Sequence, residues 1–473
     1  MLKSKLVEIV RFFETKDFRL FGDFISSAYF NKNEELILFY EKLKKLGPGF
    51  TNKKLERQNF YKLMFPKKKY NEKHLGYLMS DIIKLLDKYL AQKAYDSNPI
   101  EAYLHNLEVY LDWGMEKNYN GILRAAENEQ KKYPYKDINY YYFQYRIASV
   151  SNKYFEKQNK RAFDHHLQTA ADNFDNYFLV QKLKYSCEII NRKSILSAKY
   201  ELKFINEVIS YLKENPPENI PAIGIYSEIL LMLLYPENKR HFFKLNLLLH
   251  KNGHLFPEKE TKDMYMFALN HCIKRINMGY TEYNQELFEL YKILINKKLI
   301  YSNDALSPWI YKNIASVALR LKAFKWTESF IEKYKEKVDE KYRDSAYAYN
   351  NAYLNFSQGK YKEALWGLHD VEFSDIFFHL DTKTMQLKIY FELYEIDPLL
   401  SLLDAFKVYL KRNKLISNYM KTSYRNLIKY TQKALRIADG DKDKWKVLHA
   451  SVKEVKHIAS YTWLIEQIEA KIK

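Results

Sequence analysis

Apolar and polar residues alternate along residues 71–90 with the period of an amphipathic helix. The apolar side follows the spacing i, i+3, i+4, i+7 that places residues on one helix face, and it comprises Leu75, Leu78, Met79, Ile82, Ile83, Leu85, Leu86, Tyr89 and Leu90. The opposite side carries Asp81, Lys84, Asp87 and Lys88. Asn71 precedes the run, and asparagine is favoured as a helix N-cap. The pattern predicts a helix over residues 71–90 with Asn71 as its cap.

Three shorter helical patterns precede this one, near residues 16–25, 33–46 and 53–65. Asn98-Pro99 marks a boundary after it, because asparagine caps helices and proline is favoured at the first helical position. The sequence therefore predicts a helical N-terminal unit over residues 1–95. From residue 96 to about 300, helical patterns follow one another with breaks at prolines and glycines but without a clean period. This second region, 96–300, is interpreted as degenerate helical repeats.

A period becomes visible in the third region, residues 301–473. Gly359 to Leu365 is a tight turn that opens an amphipathic helix, and similar second helices begin near Trp326 and Asp397. Aligned on these helices, a small residue recurs at Ser329, Ala364 and Ser401, at spacings of 35 and 37 residues. Tetratricopeptide repeats have a period of about 34 residues.

Residues 346–371 resemble one tetratricopeptide repeat, through Tyr349, Ala352, Phe356, Gly359, Tyr361, Ala364 and Leu368. The flanking helix pairs resemble degenerate copies, so the resemblance covers about a third of the chain, and it departs at Asn351, where an apolar residue is usual. It implies an all-α fold, a right-handed α-solenoid of antiparallel helix pairs. Residues 461–473 are interpreted as its C-terminal capping helix. The N-terminal unit is similar to uncharacterised helical-repeat proteins, a likeness that implies no function.

Composition supports long helices with short connections, since only 12 Gly and 11 Pro occur in 473 residues. The two cysteines, Cys187 and Cys272, are too few for a disulfide framework or a zinc set, and they are interpreted as buried apolar residues. Glu8 and Arg11 interrupt any apolar run that a secretory signal would need. The densest apolar stretch, Ile229 to Leu234, is far shorter than the ~20 residues that span a bilayer. We expect a cytoplasmic protein that does not insert into membranes.

The formal net charge of +19 raises the possibility of nucleic-acid binding. The 63 lysines greatly outnumber the 14 arginines, however, and arginine is the residue preferred for bidentate phosphate contacts. A solvated basic surface is therefore the alternative interpretation. Residues 1–95 hold 20 basic and 11 acidic residues, and a cluster at Lys67, Lys68 and Lys69 follows Pro66. These three lysines are the candidate polyanion site.

Motifs for catalysis or cofactors are absent from the sequence: it has no phosphate-binding loop, dinucleotide fingerprint, nucleophile elbow or metalloprotease helix. Asp164-His165-His166 and His271-Cys272 lack partners at metal-site spacing. Arg161 and His166 have the Arg-x4-His spacing of a family of all-α ribonucleases, but Ala162 departs from that family's pattern. For each spacing tried, about one third of an Arg–His match is expected by chance in this chain. The sequence predicts no enzyme, no cofactor and no metal.

Donor side chains recur on the first helices of the C-terminal pairs, at Asn313, Asn350, Asn351, Lys388 and Arg425. The resemblance implies that these helices line a concave groove, where some tetratricopeptide proteins hold a peptide carboxylate. Ammonium, guanidinium and amide groups are suitable donors for it, although the same residues also suit a solvated groove. The leading hypothesis is a non-enzymatic scaffold that binds a protein or peptide partner on this surface, and the alternative is binding of RNA or DNA by the N-terminal unit.

Overall fold

The structure is a computed structural model that describes residues 4–47, 50, 53–158, 165–195, 200–217, 219–302, 304–371, 376–438, 440–455 and 457–473. Across these residues the chain is all-α, as predicted, and consistent with a helical-repeat fold. Its strands are limited to a two-residue hairpin, in which Tyr301–Ser302 (β1) pairs antiparallel with Ala305–Leu306 (β2).

The helices of the first half, in chain order, are α1 Lys5–Val10, α2 Thr15–Ser26, α3 Glu34–Lys44, α4 Arg57–Met64, α5 Glu72–Asp96, α6 Pro99–Asp112, α7 Glu116–Lys132, α8 Ile138–Lys157, α9 His165–Ile195, α10 Ile205–Glu214 and α11 Pro221–Leu234. Those of the second half are α12 Lys239–Asn252, α13 Glu258–Asn277, α14 Tyr283–Asn296, α15 Pro308–Arg320, α16 Phe324–Tyr334, α17 Arg343–Ser357, α18 Tyr361–Gly367, α19 Ile376–Glu392, α20 Ile396–Arg412, α21 Asn418–Ala434, α22 Lys442–Lys453 and α23 Tyr461–Ile472. Short 3-10 helices occupy Lys53–Leu55, Gly253–Leu255, Lys335–Lys337, Glu340–Tyr342 and Leu368–Asp370.

The chain divides into two compact units. The first comprises Met1–Ser186 and Leu202–Ile223, and the second comprises Cys187–Glu201 and Gly224–Lys473. In the first unit, helices α1 to α5 share one apolar core in which Phe21, Phe39 and Phe60 are fully buried. Helices α6, α7 and α8 share a separate cluster around Leu104, Leu107 and Tyr119.

Local sequence signals account for several helix ends in the first unit. The Asn71 side chain accepts a hydrogen bond from the backbone N–H of His74 at 3.0 Å, so the predicted N-cap is confirmed. Helix α5 runs on past the predicted end at Leu90 to Asp96. The pattern over residues 53–65 is not one helix, because Glu56 adopts an extended conformation (ψ 141°) between the 3-10 turn and α4. Helix α6 begins at Pro99 as predicted.

In the second unit, successive helices pack against one another, and α17 also contacts both α15 and α19. Helix α17 therefore lies beside both α15 and α19. Helix α15 begins at Pro308, and α17 spans Arg343–Ser357. Gly359 has φ +78°, a left-handed conformation that ends α17 and starts the turn into α18. Of the three small residues at the aligned position, Ala364 is fully buried on α18, whereas Ser329 on α16 and Ser401 on α20 are exposed, so the three do not share one buried position.

The terminal helix α23 packs against its neighbours through Leu464 and Ile468, which are fully buried. Its Trp463 indole N–H donates to the Glu392 carboxylate at 3.3 Å, and the Gln467 amide donates to the same carboxylate at 2.6 Å. These bonds join α23 to the end of α19. The predicted helix over the last residues is confirmed, with its apolar face buried.

Both cysteines are completely buried and free, which confirms their interpretation as apolar core residues. Burial raises the pKa of the Cys187 and Cys272 thiols. Among the described helices, none combines the length and the apolar character needed to cross a lipid bilayer.

Candidate functional site

A cavity of about 360 Å³ lies among helices α13, α14, α15, α17 and α19 of the second unit. Two of these helices present residues to it at the spacing i, i+3, i+4, i+7 of one helix face. On α15 these are Asn313, Ser316, Val317 and Arg320, and on α19 they are Asp381, Thr384, Met385 and Lys388. The volume lies within the range of about 300–1,000 Å³ of ligand sites.

An ion pair spans the cavity. The Lys312 ammonium on α15 pairs with the Asp381 carboxylate on α19. The Lys312 side chain is only 13% exposed, and its Nζ lies 4.9 Å from the centre of the Phe378 ring. Asp381 is the one acidic side chain among the described residues that line the cavity.

Two further cations face the cavity, Arg320 and Lys388. Within the described part of the chain, neither of them forms an ion pair at 4.0 Å or less. Lys388 is partly buried, and its Nζ lies 5.6 Å from the centre of the Trp463 ring. Burial and then the charge of Arg320 lower the pKa of Lys388 to about 8, against the opposing effect of Asp381, Glu466 and Glu392. The lowered pKa therefore reports mainly the desolvation of the Lys388 ammonium.

Aromatic side chains form another part of the wall. Tyr349 and Tyr353 lie one helical turn apart on α17, with ring centres 6.4 Å apart, and the Tyr349 ring packs edge-on against Phe378 at 5.6 Å. Burial raises the pKa of both tyrosine hydroxyls, and it raises the pKa of Tyr291 to about 12. These hydroxyls are therefore neutral near pH 7 and keep a proton to donate.

The structure brings two of the five predicted groove residues to this cavity, Asn313 and Lys388. Asn350 is fully buried and Asn351 is partly buried, both on α17. Neither Asn350 nor Asn351 is among the residues that line the cavity. Arg425 is exposed on α21 and is not part of the cavity wall.

Sequence reasoning missed Lys312, Arg320 and Asp381. The register of the repeats selects one position on each helix. The cavity wall, in contrast, is formed by all the residues on one face of a helix. Extending the face from Asn313 by seven residues reaches Arg320, and extending it back from Lys388 by seven residues reaches Asp381. The i, i+3, i+4, i+7 pattern around Asn313 and Lys388 was the signal that would have found Arg320 and Asp381 on the same helix faces.

The predicted polyanion site, Lys67 to Lys69, lies on the turn between α4 and α5, and all three side chains are exposed. Lys68 is engaged locally: its Nζ lies 3.5 Å from a Glu35 carboxylate oxygen and 4.5 Å from the centre of the Phe65 ring.

The other candidates for chemistry do not assemble a site. His271 is buried and stacks on Phe242 at 5.4 Å, and burial lowers its pKa to about 4. Arg161 and Asp164 lie outside the described residues, so the structure does not describe the Arg161–His166 pair or the full Asp164–His166 cluster. In the part of the chain that is described, no group of three or more His, Cys, Asp or Glu side chains is placed to hold a metal ion.

A scan of the sequence against protein-family models gives no match, and a search of curated proteins gives none either.

Proposed function

We propose that this chain is a non-enzymatic scaffold that binds a protein or peptide partner by placing an anionic group of that partner in the cavity of the second unit. The observation that carries the proposal is the pair of cations on neighbouring helix faces, Arg320 and Lys388, that no carboxylate of the described residues neutralises by an ion pair. Guanidinium and ammonium groups form charge-assisted hydrogen bonds to anions.

The arrangement of the helices supports a peptide ligand. Helix α17 contacts both α15 and α19, and in the proposed register these three are the first helices of consecutive pairs. We propose that these pairs form a right-handed tetratricopeptide-like solenoid, in which first helices line the concave surface. Exposed Asn313 and Arg320 lie at the cavity opening, and the buried aromatic wall provides apolar contacts for residues that flank the anionic group.

Affinity capture from a lysate of the source organism tests this function. The bait proteins are the wild type, an Arg320→Gln/Lys388→Gln variant and a control with the same charge change, Lys325→Gln/Arg412→Gln. Both control positions are exposed, on α16 and at the end of α20, and neither lines the cavity. A partner retained by the wild type and the control but lost by the cavity variant supports the proposal. An identical set of captured proteins for all three baits contradicts it.

Nucleic-acid binding by the first unit is the second candidate function, favoured by the three exposed lysines between α4 and α5. Such binding would weaken steeply with rising salt, because it releases counterions. A mobility-shift titration of single-stranded RNA and duplex DNA at low salt, with wild type and a Lys67→Gln/Lys68→Gln/Lys69→Gln variant, tests it. Absence of a shift at low salt removes this candidate.

A further inference from the structure

The charge of the cavity wall indicates which anion it accommodates. Three cations, Lys312, Arg320 and Lys388, face one carboxylate, Asp381. Lys312 pairs with Asp381, and neither Arg320 nor Lys388 has an ion-pair partner among the described residues of the wall, while Glu392 and Glu466 act on Lys388 from outside it. One carboxylate ligand would neutralise only one of these two cations, whereas a phosphate monoester carries a charge of about −1.5 to −2 at neutral pH.

Resting on the proposed function, we propose that the cavity receives the dianionic phosphoryl group of a phosphorylated side chain, with Arg320 and Lys388 as its two charged ligands. The guanidinium of Arg320 donates through two parallel N–H groups to two phosphoryl oxygens, the geometry that arginine favours with phosphate. The Lys388 ammonium binds the remaining charge as a point cation.

A neutral donor in the wall suits the third phosphoryl oxygen. The Ser316 hydroxyl lies on the same face of α15 as Arg320, one turn before it. The exposed Asn313 amide lies two turns before Arg320, about 10.5 Å along the helix axis, and is not one of the phosphoryl ligands. Thr384 is already committed, since its hydroxyl donates to the Leu380 carbonyl at 2.7 Å. A phosphoryl group has three strong acceptor oxygens, so the Ser316 hydroxyl can serve one oxygen beside those that Arg320 and Lys388 bind.

The surroundings of the cations favour a phosphorylated side chain over free phosphate. Tyr349, Tyr353, Phe356 and Met385 line the same cavity, and inorganic phosphate has no apolar part to contact them. A peptide that carries phosphoserine or phosphothreonine places its phosphoryl group between the cations while a flanking apolar residue packs on this aromatic wall.

Degenerate peptide libraries test the inference on the full-length protein. Three libraries of short biotinylated peptides differ only at their fixed central residue: phosphoserine or phosphothreonine, the unphosphorylated residue, or glutamate. The phosphorylated library should bind about tenfold or more tightly than the glutamate library, and removing either cation by Arg320→Gln or Lys388→Gln should cost about tenfold or more. The exposed Lys325→Gln and Arg412→Gln variants should bind like the wild type.

The outcomes separate the inference from the proposed function. The proposal of a phosphoryl ligand is overturned if the phosphorylated and unphosphorylated libraries bind equally or if neither binds. The affinity-capture experiment decides independently whether a partner uses the cavity. Inorganic phosphate that binds as tightly as the phosphorylated library overturns the peptide as the source of the phosphoryl group. Loss of binding in the Lys325→Gln control overturns the assignment of the site.

The pH dependence of binding provides a second readout. Affinity for the phosphorylated library should rise from pH 5 to 7, because the second ionisation of a phosphate monoester has a pKa of about 6. Glutamate is already ionised in this range, so the ratio of the two affinities isolates the phosphoryl group from any protein titration. A ratio that stays constant from pH 5 to 7 overturns the inference.

At alkaline pH, affinity should fall as Lys388 loses its proton. The charged groups that act on its ammonium are Arg320 on α15, Asp381 and Glu392 on α19, and Glu466 on α23. Arginine remains protonated throughout, so Lys388→Arg should bind the phosphorylated library and lose the alkaline fall. An alkaline fall that persists unchanged in this variant overturns the role of Lys388.

Discussion

The Lys312 ammonium and the Asp381 carboxylate form an ion pair that joins α15 to α19. Both of these helices contact α17, so the pair links the two helices on either side of it. The same pair engages the one carboxylate among the described residues of the cavity wall, and the charge of that carboxylate still acts on Lys388. Asp381 therefore stabilises the protein, and its negative charge weakens the binding of an anionic ligand in the cavity.

Asp381→Asn should destabilise the protein and strengthen anion binding. The change leaves the largely buried Lys312 ammonium without its partner, and we expect the free energy of unfolding to fall by about 1–3 kcal/mol. It also removes the negative charge that opposes an anionic ligand, so affinity for the phosphorylated library should rise. Chemical denaturation and peptide titration measure the two effects.

Asp404→Asn is the control for this change, since the Lys407–Asp404 pair on α20 is exposed, with side-chain exposures of 45% and 72%. An exposed pair contributes about 0–1 kcal/mol, and this one lies outside the cavity wall. A stability loss in Asp404→Asn as large as that in Asp381→Asn would contradict the structural role assigned to the cavity pair.

Gly359→Ala should destabilise the helix pair α17–α18 by about 1 kcal/mol, because alanine is strained at a φ of +78°. Gly121, inside α7, is the matched control. Neither glycine has an atom within 4 Å of an added Cβ, and only Gly359 has a positive φ. Gly121→Ala should stabilise by about 0.5–1 kcal/mol. Thermal unfolding of the two variants compares them, and a loss of the same size in both would contradict the backbone argument.

The turn at Gly359 also shows which features of the fold local sequence signals predict. Glycine at a helix end and an amphipathic pattern on either side of it are local signals, and they predicted the helices α17 and α18 within a few residues. The register taken from this turn placed Asn313 and Lys388 on the cavity wall.

The rest of the site depended on rotation about each helix axis, which a repeat register does not specify. A step of one residue turns the side chain by about 100°, and this step separates buried Asn350 from cavity-lining Tyr349. The Lys312–Asp381 pair joins residues 69 positions apart. Nothing in the local pattern of either helix predicts that such distant residues meet.

Lys388→Met should stabilise the protein at pH 7, by about 1 kcal/mol, because it removes a desolvated charge and keeps an apolar side chain of similar length. The folded-state pKa of Lys388 is about 8 and its ordinary value is 10.5. Between these values the unfolded state binds more protons than the folded state, so wild-type stability rises with pH relative to the variant.

The advantage of Lys388→Met should therefore shrink between about pH 8 and pH 10.5. Denaturant titrations of both proteins at several pH values measure the difference, and other titrating groups cancel in the comparison. Lys325→Met controls for the loss of one lysine on the exposed face of α16. A difference that grows with pH would contradict the desolvation of Lys388.

Asp17 gives the first unit a dependence on acid pH. It is 6% exposed, and its carboxylate accepts hydrogen bonds from the Lys93 ammonium and, at 3.1 Å, from the Tyr89 hydroxyl. The Lys93 contact holds the pKa of Asp17 below its usual value of 3.8. A depressed pKa contributes stability above that usual value, and the contribution is lost as the pH falls through the folded-state pKa.

Asp17→Asn should therefore lower the free energy of unfolding by about 1–3 kcal/mol at pH 7, and the difference from the wild type should decrease below about pH 4. Asp81→Asn, at an exposed i,i+3 pair with Lys84, is the control and should change stability by less than about 0.5 kcal/mol. A difference between Asp17→Asn and the wild type that is unchanged from pH 7 to pH 3 would be incompatible with the lowered pKa.

Site-specific photocrosslinking tests the location of the partner most directly. A photoreactive residue replaces Asn313, at the opening of the cavity, or Glu328, on the exposed face of α16. Both variants are irradiated with the partner identified by affinity capture or with the phosphorylated peptides. We expect a crosslink from position 313 that Arg320→Gln/Lys388→Gln abolishes, and no crosslink from position 328. A crosslink from position 328 alone, or one from position 313 that survives loss of both cations, would contradict binding in the cavity.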